Sequence, residues 1–205
     1  MNLANKLTLT RIALTVLFIA LFLSGKEYSN TAALLVFIAA ALTDYYDGKI
    51  ARERGQRTVF GDLFDPLADK ILVLSAFLCF LTVRFDPPLG ATIVPVWAVI
   101  VIVSREIAVT GLRVLAAGRG RSIAAGTSGK QKTVSQLVAV IVILVGETLD
   151  HDYGRWLFAN LERQARFLDL LPIIYLSVVI IAVTFTVTSG VEYFWKHRDL
   201  LDETK

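Results

Sequence analysis

The chain is 205 residues long, 55% hydrophobic and 19% charged, with a mean hydropathy of +0.62, whereas soluble domains run at roughly 45–50% apolar and about 25% charged. That balance excludes an ordinary soluble globular domain, and the apolar residues recur in blocks that leave no room for a separate one. The 21 Lys and Arg against 18 Asp and Glu leave a net charge of +3, which basic loops beside membrane spans explain without any nucleic-acid partner.

In chain order, apolar length predicts six helices at roughly 7–23, 31–51, 62–83, 91–117, 133–149 and 169–194, each near the roughly 20 residues that cross a bilayer. The expected architecture is all-α, a polytopic integral membrane protein forming one domain over 1–205. Lys6 and Arg11 precede the first run, and Leu23-Ser24-Gly25-Lys26 at its end lacks a small-x-small cleavage pattern. It reads as a retained span rather than a secretory signal. The single cysteine, Cys79, sits in the apolar run 71–83 and reads as a small core residue, so no intrachain disulfide is possible. Lys and Arg gather at Lys6, Arg11, 49–57, 113–132 and 196–205, and the positive-inside rule makes that side cytoplasmic. Residues 118–129, a basic stretch interrupted by Gly118, Gly120, Gly126 and Gly129, are expected to form a mobile loop there. The mixed segment 153–168 places Leu157, Leu161, Ala165 and Leu168 at helical spacing and is expected to lie in the interface plane. Trp97, Trp156 and Trp195 read as interfacial anchors. Glu147, Glu192, His151 and His197 read as solvated or paired residues.

The chemistry concentrates where the second run ends and the third begins. Asp44 and Asp47 are three residues apart on one helix, and Asp65 and Asp69 are four apart on the next. Each pair therefore shares a face, and the two faces can meet across a short turn. Four converging carboxylates need cations to remain ionised. Hard divalent ions with oxygen ligands meet that need, and a pair of them can clamp a phosphate between attacking and leaving oxygens. Gly48 and Gly61 remove side chains beside the acids, and Arg52 can pair with phosphate in a fork. A structural ion-pair network with Lys49, Arg52 and Lys70 is the plainer alternative. A divalent-cation transporter is another, although nothing in 91–205 repeats the acidic motif.

The run Asp44-x2-Asp47-Gly48-x2-Ala51-Arg52-x8-Gly61-x3-Asp65-x3-Asp69 resembles the signature of the CDP-alcohol phosphotransferases. The resemblance implies a six-helix membrane fold, a homodimer, and two divalent metals, magnesium or manganese. By that likeness Asp44, Asp47 and Asp65 are metal ligands. Asp69 lies beside the second metal and takes the proton from the acceptor hydroxyl. Gly48, Arg52, Gly61 and Thr58 line the nucleotide pocket.

Further along, Arg105-Glu106-x6-Arg113 and Gly129-Lys130-x-Lys132-Thr133, with Asn5-x2-Thr8-x2-Arg11 at the start, resemble the phosphatidylglycerophosphate synthase branch of that family. The implied substrates are CDP-diacylglycerol and glycerol 3-phosphate, and the implied process is phospholipid biosynthesis at a bacterial plasma membrane, with the site facing the cytoplasm. Arg105, Arg113, Lys130 and Lys132 would hold the acceptor phosphate, although Glu106 is also a structural partner for Arg105 and lysines at a membrane edge serve as anchors. A cardiolipin synthase, or a relative using another alcohol, is the nearest alternative.

Overall fold

The computed structural model describes residues 3–54, 59–85, 90–118, 127–157 and 161–198; at 3–8, 44–54, 59–69, 127, 155 and 161–165 the description is of the helix backbone. The order is α1 (Leu3–Leu23), α2 (Ser29–Arg54), α3 (Val59–Phe80), α4 (Val96–Gly118), α5 (Thr127–Glu147), a π-helical turn (Thr148–Asp152), the single turn α6 (Gly154–Leu157) and α7 (Leu161–Lys196). No strand occurs among the described residues, only an isolated antiparallel bridge between Arg84 and Thr92. The all-α expectation and the six long helices stand.

Boundaries differ where apolar length is a poor guide to helix length. The third helix stops at Phe80 rather than 83, and the chain turns back on itself: the Phe85 N–H donates to the Ala91 carbonyl at 2.9 Å and the Ile93 N–H to the Val83 carbonyl at 3.1 Å. The fourth starts at Val96 rather than 91 because the Pro95 carbonyl accepts the first helical bonds. The last helix begins at Leu161, so 161–168 continues directly into 169–194 as one 36-residue helix rather than forming a separate element. Its charged first turns contain no helix breaker, and Pro172 lies inside it, where the ring removes one backbone donor without ending the helix. Gly25, at φ 60°, terminates α1 in the left-handed conformation that glycine adopts without steric cost.

Aromatic residues and small residues pack the interior. The ring centres of Phe18 and Phe37 lie 5.5 Å apart in a tilted pair and those of Phe22 and Phe80 5.6 Å apart edge to face, tying α1 to α2 and α3. Cys79 belongs to this core. Ala139 on α5 and Ala182 on α7 are fully buried, which lets those backbones approach closely. The Gln136 amide then donates to the Thr186 hydroxyl across the same seam at 2.9 Å. Outward faces are apolar instead of charged: Leu35, Ile100, Ile107, Val114, Ile173 and Val191 are exposed, and so are Trp97, Trp156 and Trp195. Among the described residues, Ser128–Asp152 and Arg166–Lys196 are long and apolar enough to cross a bilayer, while Leu9–Leu23, Ser29–Thr43 and Lys70–Phe80 are shorter apolar stretches. An apolar exterior around a helical bundle suits a lipid surround.

The helices run up and down, so the end of α2, the start of α3, the second half of α4, the start of α5 and the end of α7 share one end of the molecule. The opposite end is pinned by Asp152, whose Oδ2 accepts from both the N–H and the hydroxyl of Thr31, at 2.7 and 2.6 Å. There the Tyr175 hydroxyl donates to the buried Glu147 carboxylate at 3.1 Å, and His151 lies 3.9 Å from that carboxylate. Glu147 is thus a paired residue, as its position suggested.

Candidate active site

Asp44, Asp47, Gly48 and Arg52 lie on α2, and Gly61, Asp65 and Asp69 on α3, all in helical backbone. At 3.6 residues per turn, spacings of three and four keep each pair of aspartates on one face. Their side chains lie outside the described residues, as does Thr58 altogether. Among the described residues no group of three His, Cys, Asp or Glu side chains could hold a metal. The four aspartates provide only oxygen donors, the type that suits magnesium or manganese.

Beside the start of α3 the side chains are described, and they form a charged junction. Lys70, the residue after Asp69, places its ammonium 3.1 Å from Glu106 Oε2 on α4 and donates to the Thr110 hydroxyl. Arg105 Nη1 donates to Glu106 Oε1 at 3.1 Å. Lys132, from the second turn of α5, donates to the same oxygen. Glu106 is only 3% exposed, so its charge is sustained by these three cations from three helices. A second tier aims the arginines. Arg105 Nη2 donates to the Ser189 hydroxyl on α7 at 3.0 Å, and Gly190 leaves room for the Arg105 stem, since a Cβ there would sit 3.1 Å from Cγ. Arg113 donates through Nε to the Tyr193 hydroxyl at 3.2 Å, with its guanidinium 5.6 Å from the centre of that ring.

A cavity of about 440 Å³ opens at this junction. Arg105, Arg113, Lys130 and Lys132 all line it, together with Lys70, Glu106 and Gln136. Residues from two segments of sequence, 105–113 and 130–132, are therefore brought to one wall. Five cations face a single carboxylate, leaving four formal positive charges in a recess whose other walls are Val73, Leu74, Val109 and Val134. Such a recess favours an anion carrying two charges, because low-dielectric walls strengthen every ion contact inside it. The sequence offers Lys70 only as an ion-pair partner of the aspartates and not as a residue of this recess, and it gives no sign of the reach of Glu106 to Lys132, 26 residues away. Of the loop expected over 118–129, Gly118 closes α4 and residues 127–129 open α5, while 119–126 lie outside the described residues.

Comparison with known proteins places this arrangement. The profile described as CDP-alcohol phosphatidyltransferase matches residues 1–188, spanning the aspartate motif and every residue of the cationic cavity. The chain belongs to this family. Among its relatives is the Bacillus subtilis (strain 168) protein named CDP-diacylglycerol–glycerol-3-phosphate 3-phosphatidyltransferase, 38% identical over 98% of this chain and 97% of its own length. Proteins of the same name from Pseudomonas fluorescens and Escherichia coli (strain K12) are 38% and 36% identical over 70% of this chain, covering 72% and 76% of their own lengths. The family assigned from the spaced aspartates is thus the family found. As a CDP-alcohol phosphatidyltransferase the chain is a transferase, and its cationic cavity lies next to the helix that carries the last two aspartates of the motif.

Proposed function

We propose that the chain transfers the phosphatidyl group of CDP-diacylglycerol to glycerol 3-phosphate, yielding phosphatidylglycerophosphate and CMP in phospholipid biosynthesis. The observation that carries this reading is the cavity of Arg105, Arg113, Lys130, Lys132 and Lys70 beside α3. An uncharged alcohol would leave four positive charges without a partner there, whereas a phosphate dianion uses them. The names of relatives matching across nearly the whole chain support the same acceptor.

In this reading Asp44, Asp47, Asp65 and Asp69 hold two divalent cations, magnesium or manganese, which when bound supply charge neutralisation at the diphosphate. Gly48, Arg52, Thr58 and Gly61 receive the cytidine nucleotide. The cavity cations hold the acceptor phosphate, so that its free hydroxyl is presented towards α3. Asp69 takes the hydroxyl proton as the acceptor oxygen bonds to the phosphorus that carries diacylglycerol, and the bond from that phosphorus to the CMP oxygen breaks. Orientation of two anionic substrates is the larger part of such catalysis. The six long helices cross the bilayer with this end at the cytoplasmic face, which the distribution of Lys and Arg supports, and the chain acts as a homodimer.

Purified protein supplied with CDP-diacylglycerol and manganese or magnesium, and offered glycerol 3-phosphate, glycerol, inositol or phosphatidylglycerol, tests the assignment through CMP release. Glycerol 3-phosphate should be the preferred acceptor. Faster release with phosphatidylglycerol would replace this reading by a cardiolipin synthase.

A further inference from the structure

The cavity contains a carboxylate where a site for an anion would be expected to exclude one. Glu106 is 3% exposed, against 7% for the Lys132 side chain, 13% for Arg105 and 24% for Lys70, so it is the most deeply placed charge of the four. Its two oxygens are used differently: Oε1 accepts from Arg105 and Lys132, while Oε2 has no hydrogen bond and is met by the Lys70 ammonium as an ion pair at 3.1 Å. The three cations come from α4, α5 and α3 respectively, and without a shared anion they would repel one another across the recess.

The geometry points to Glu106 as a positioning residue of the acceptor site: it holds Lys70, Arg105 and Lys132 at the spacing that receives the acceptor phosphate. This rests on the reading that the cavity binds that phosphate. A lysine carries three donors and an arginine five. Each cation held by Glu106 therefore keeps donors in hand, and anchoring one of them limits where the others can point. Ser189 and Tyr193 restrain Arg105 and Arg113 from α7 in the same manner.

A second role is open to Glu106, that of a plain counter-charge lowering the potential of the cavity. The two roles predict opposite signs for Glu106→Gln. If the carboxylate only offsets charge, removing it makes the recess more cationic, and the KM for glycerol 3-phosphate falls. If it positions the cations, the amide keeps one accepting oxygen and turns an N–H2 donor towards Lys70 or Arg105. The cradle then loosens and that KM rises, by about tenfold or more for one lost charge-assisted contact. The KM for CDP-diacylglycerol should stay within about twofold of wild type, a separation that general damage to the fold would not give.

The experiment measures both KM values and kcat for wild type, Glu106→Gln, Glu106→Asp, Lys132→Met and Glu106→Gln/Lys132→Met, following CMP release, with thermal unfolding in detergent alongside. Expected are a raised glycerol 3-phosphate KM in Glu106→Gln, partial recovery in Glu106→Asp, and a smaller effect of Lys132→Met in the Gln background than alone, since the two act through one contact. A lowered or unchanged glycerol 3-phosphate KM in Glu106→Gln overturns the inference. Should Glu106→Gln fail to fold, Glu106→Asp decides, because its retracted carboxylate must still raise that KM, and an unchanged value overturns the inference. A wild type that prefers phosphatidylglycerol or glycerol instead refutes the acceptor reading itself, an outcome distinguishable from a wild type that prefers glycerol 3-phosphate and is indifferent to Glu106.

Discussion

Arg113 and Lys130 both line the cavity without an ion pair to Glu106, so replacing either removes a cation from the proposed acceptor site and leaves the buried ion cluster whole. Their settings differ. Lys130 is exposed at the start of α5, whereas Arg113 is half-buried, stacked on Tyr193 and aimed by its hydroxyl. An exposed charge is screened and mobile, so Lys130→Ala should raise the KM for glycerol 3-phosphate by only about two- to fivefold. Arg113→Ala removes an oriented, charge-assisted contact of about 1.5–3 kcal/mol, which is roughly ten- to a hundredfold in KM. Salt separates them further, because the Debye length falls from about 10 Å at 0.1 M to about 3 Å at 1 M. The Lys130 effect should fade across that range and the Arg113 effect persist. The assay is CMP release at saturating CDP-diacylglycerol with varied glycerol 3-phosphate, repeated with glycerol as acceptor, for which neither substitution should matter. A Lys130→Ala effect that exceeds that of Arg113→Ala and survives high salt would refute the reasoning, as would an equal rise in the KM for CDP-diacylglycerol in Arg113→Ala.

Asp44→Asn, Asp47→Asn and Asp65→Asn should each abolish turnover in protein that still folds, and excess chelator should do the same to wild type; full activity in chelator would falsify the metal assignment. Asp69→Asn should lower kcat far more than it weakens CDP-diacylglycerol binding, and equal losses would make Asp69 a ligand rather than the base. Gly146→Ala should destabilise the fold by about 1–3 kcal/mol through overpacking, because its Cβ would lie 2.8 Å from two ring carbons of the fully buried Tyr175; an unchanged melting temperature in detergent would contradict this. With Cys79→Ser as background, single cysteines at Glu27 and Gly118, both exposed at opposite ends, report orientation: an impermeant thiol reagent on intact cells should label position 27 and spare 118, and the reverse pattern would invert the proposed topology.

Apolar run length and residue spacing exposed the helices and the aspartate motif because both are local properties. A helix repeats every 3.6 residues, and a motif confined to 44–69 carries its geometry in its spacing. Local reading failed where ends are set by something other than hydrophobicity. Residues 153–168 read as one separate amphipathic element because Glu162, Arg163 and Arg166 interrupt the apolar run, yet charge alone does not break a helix, and 161–168 belong to α7. The third helix was extended past Phe80 because Leu81, Thr82 and Val83 continue the apolar pattern, and only the return of the chain at Ala91 and Ile93 shows that they turn. The cavity was half legible. Its four basic residues were identifiable as a group, but their shared dependence on Glu106 rests on contacts between α3, α4 and α5 that no local pattern contains.

That dependence bears on how the two halves of the site are kept in register. Lys70 follows Asp69 directly on α3, and successive positions on a helix are related by a rotation of about 100° and a rise of about 1.5 Å. The Lys70 ammonium is fixed on α4 twice, at Glu106 and at Thr110, whose hydroxyl also donates back to the Glu106 carbonyl. Any rotation of α3 that carried Asp69 away from the acceptor would have to break both contacts and expose part of a buried ion cluster, which is costly. α4 and the helix bearing the proposed base are thereby tied to one another by the residue adjacent to that base. Phosphoryl transfer loses orders of magnitude when reacting groups are misplaced by about 1 Å. On the proposed reading, a buried carboxylate in this cationic recess is consistent with the chemistry, because it would trade some attraction for the acceptor phosphate against fixed geometry at the point of attack.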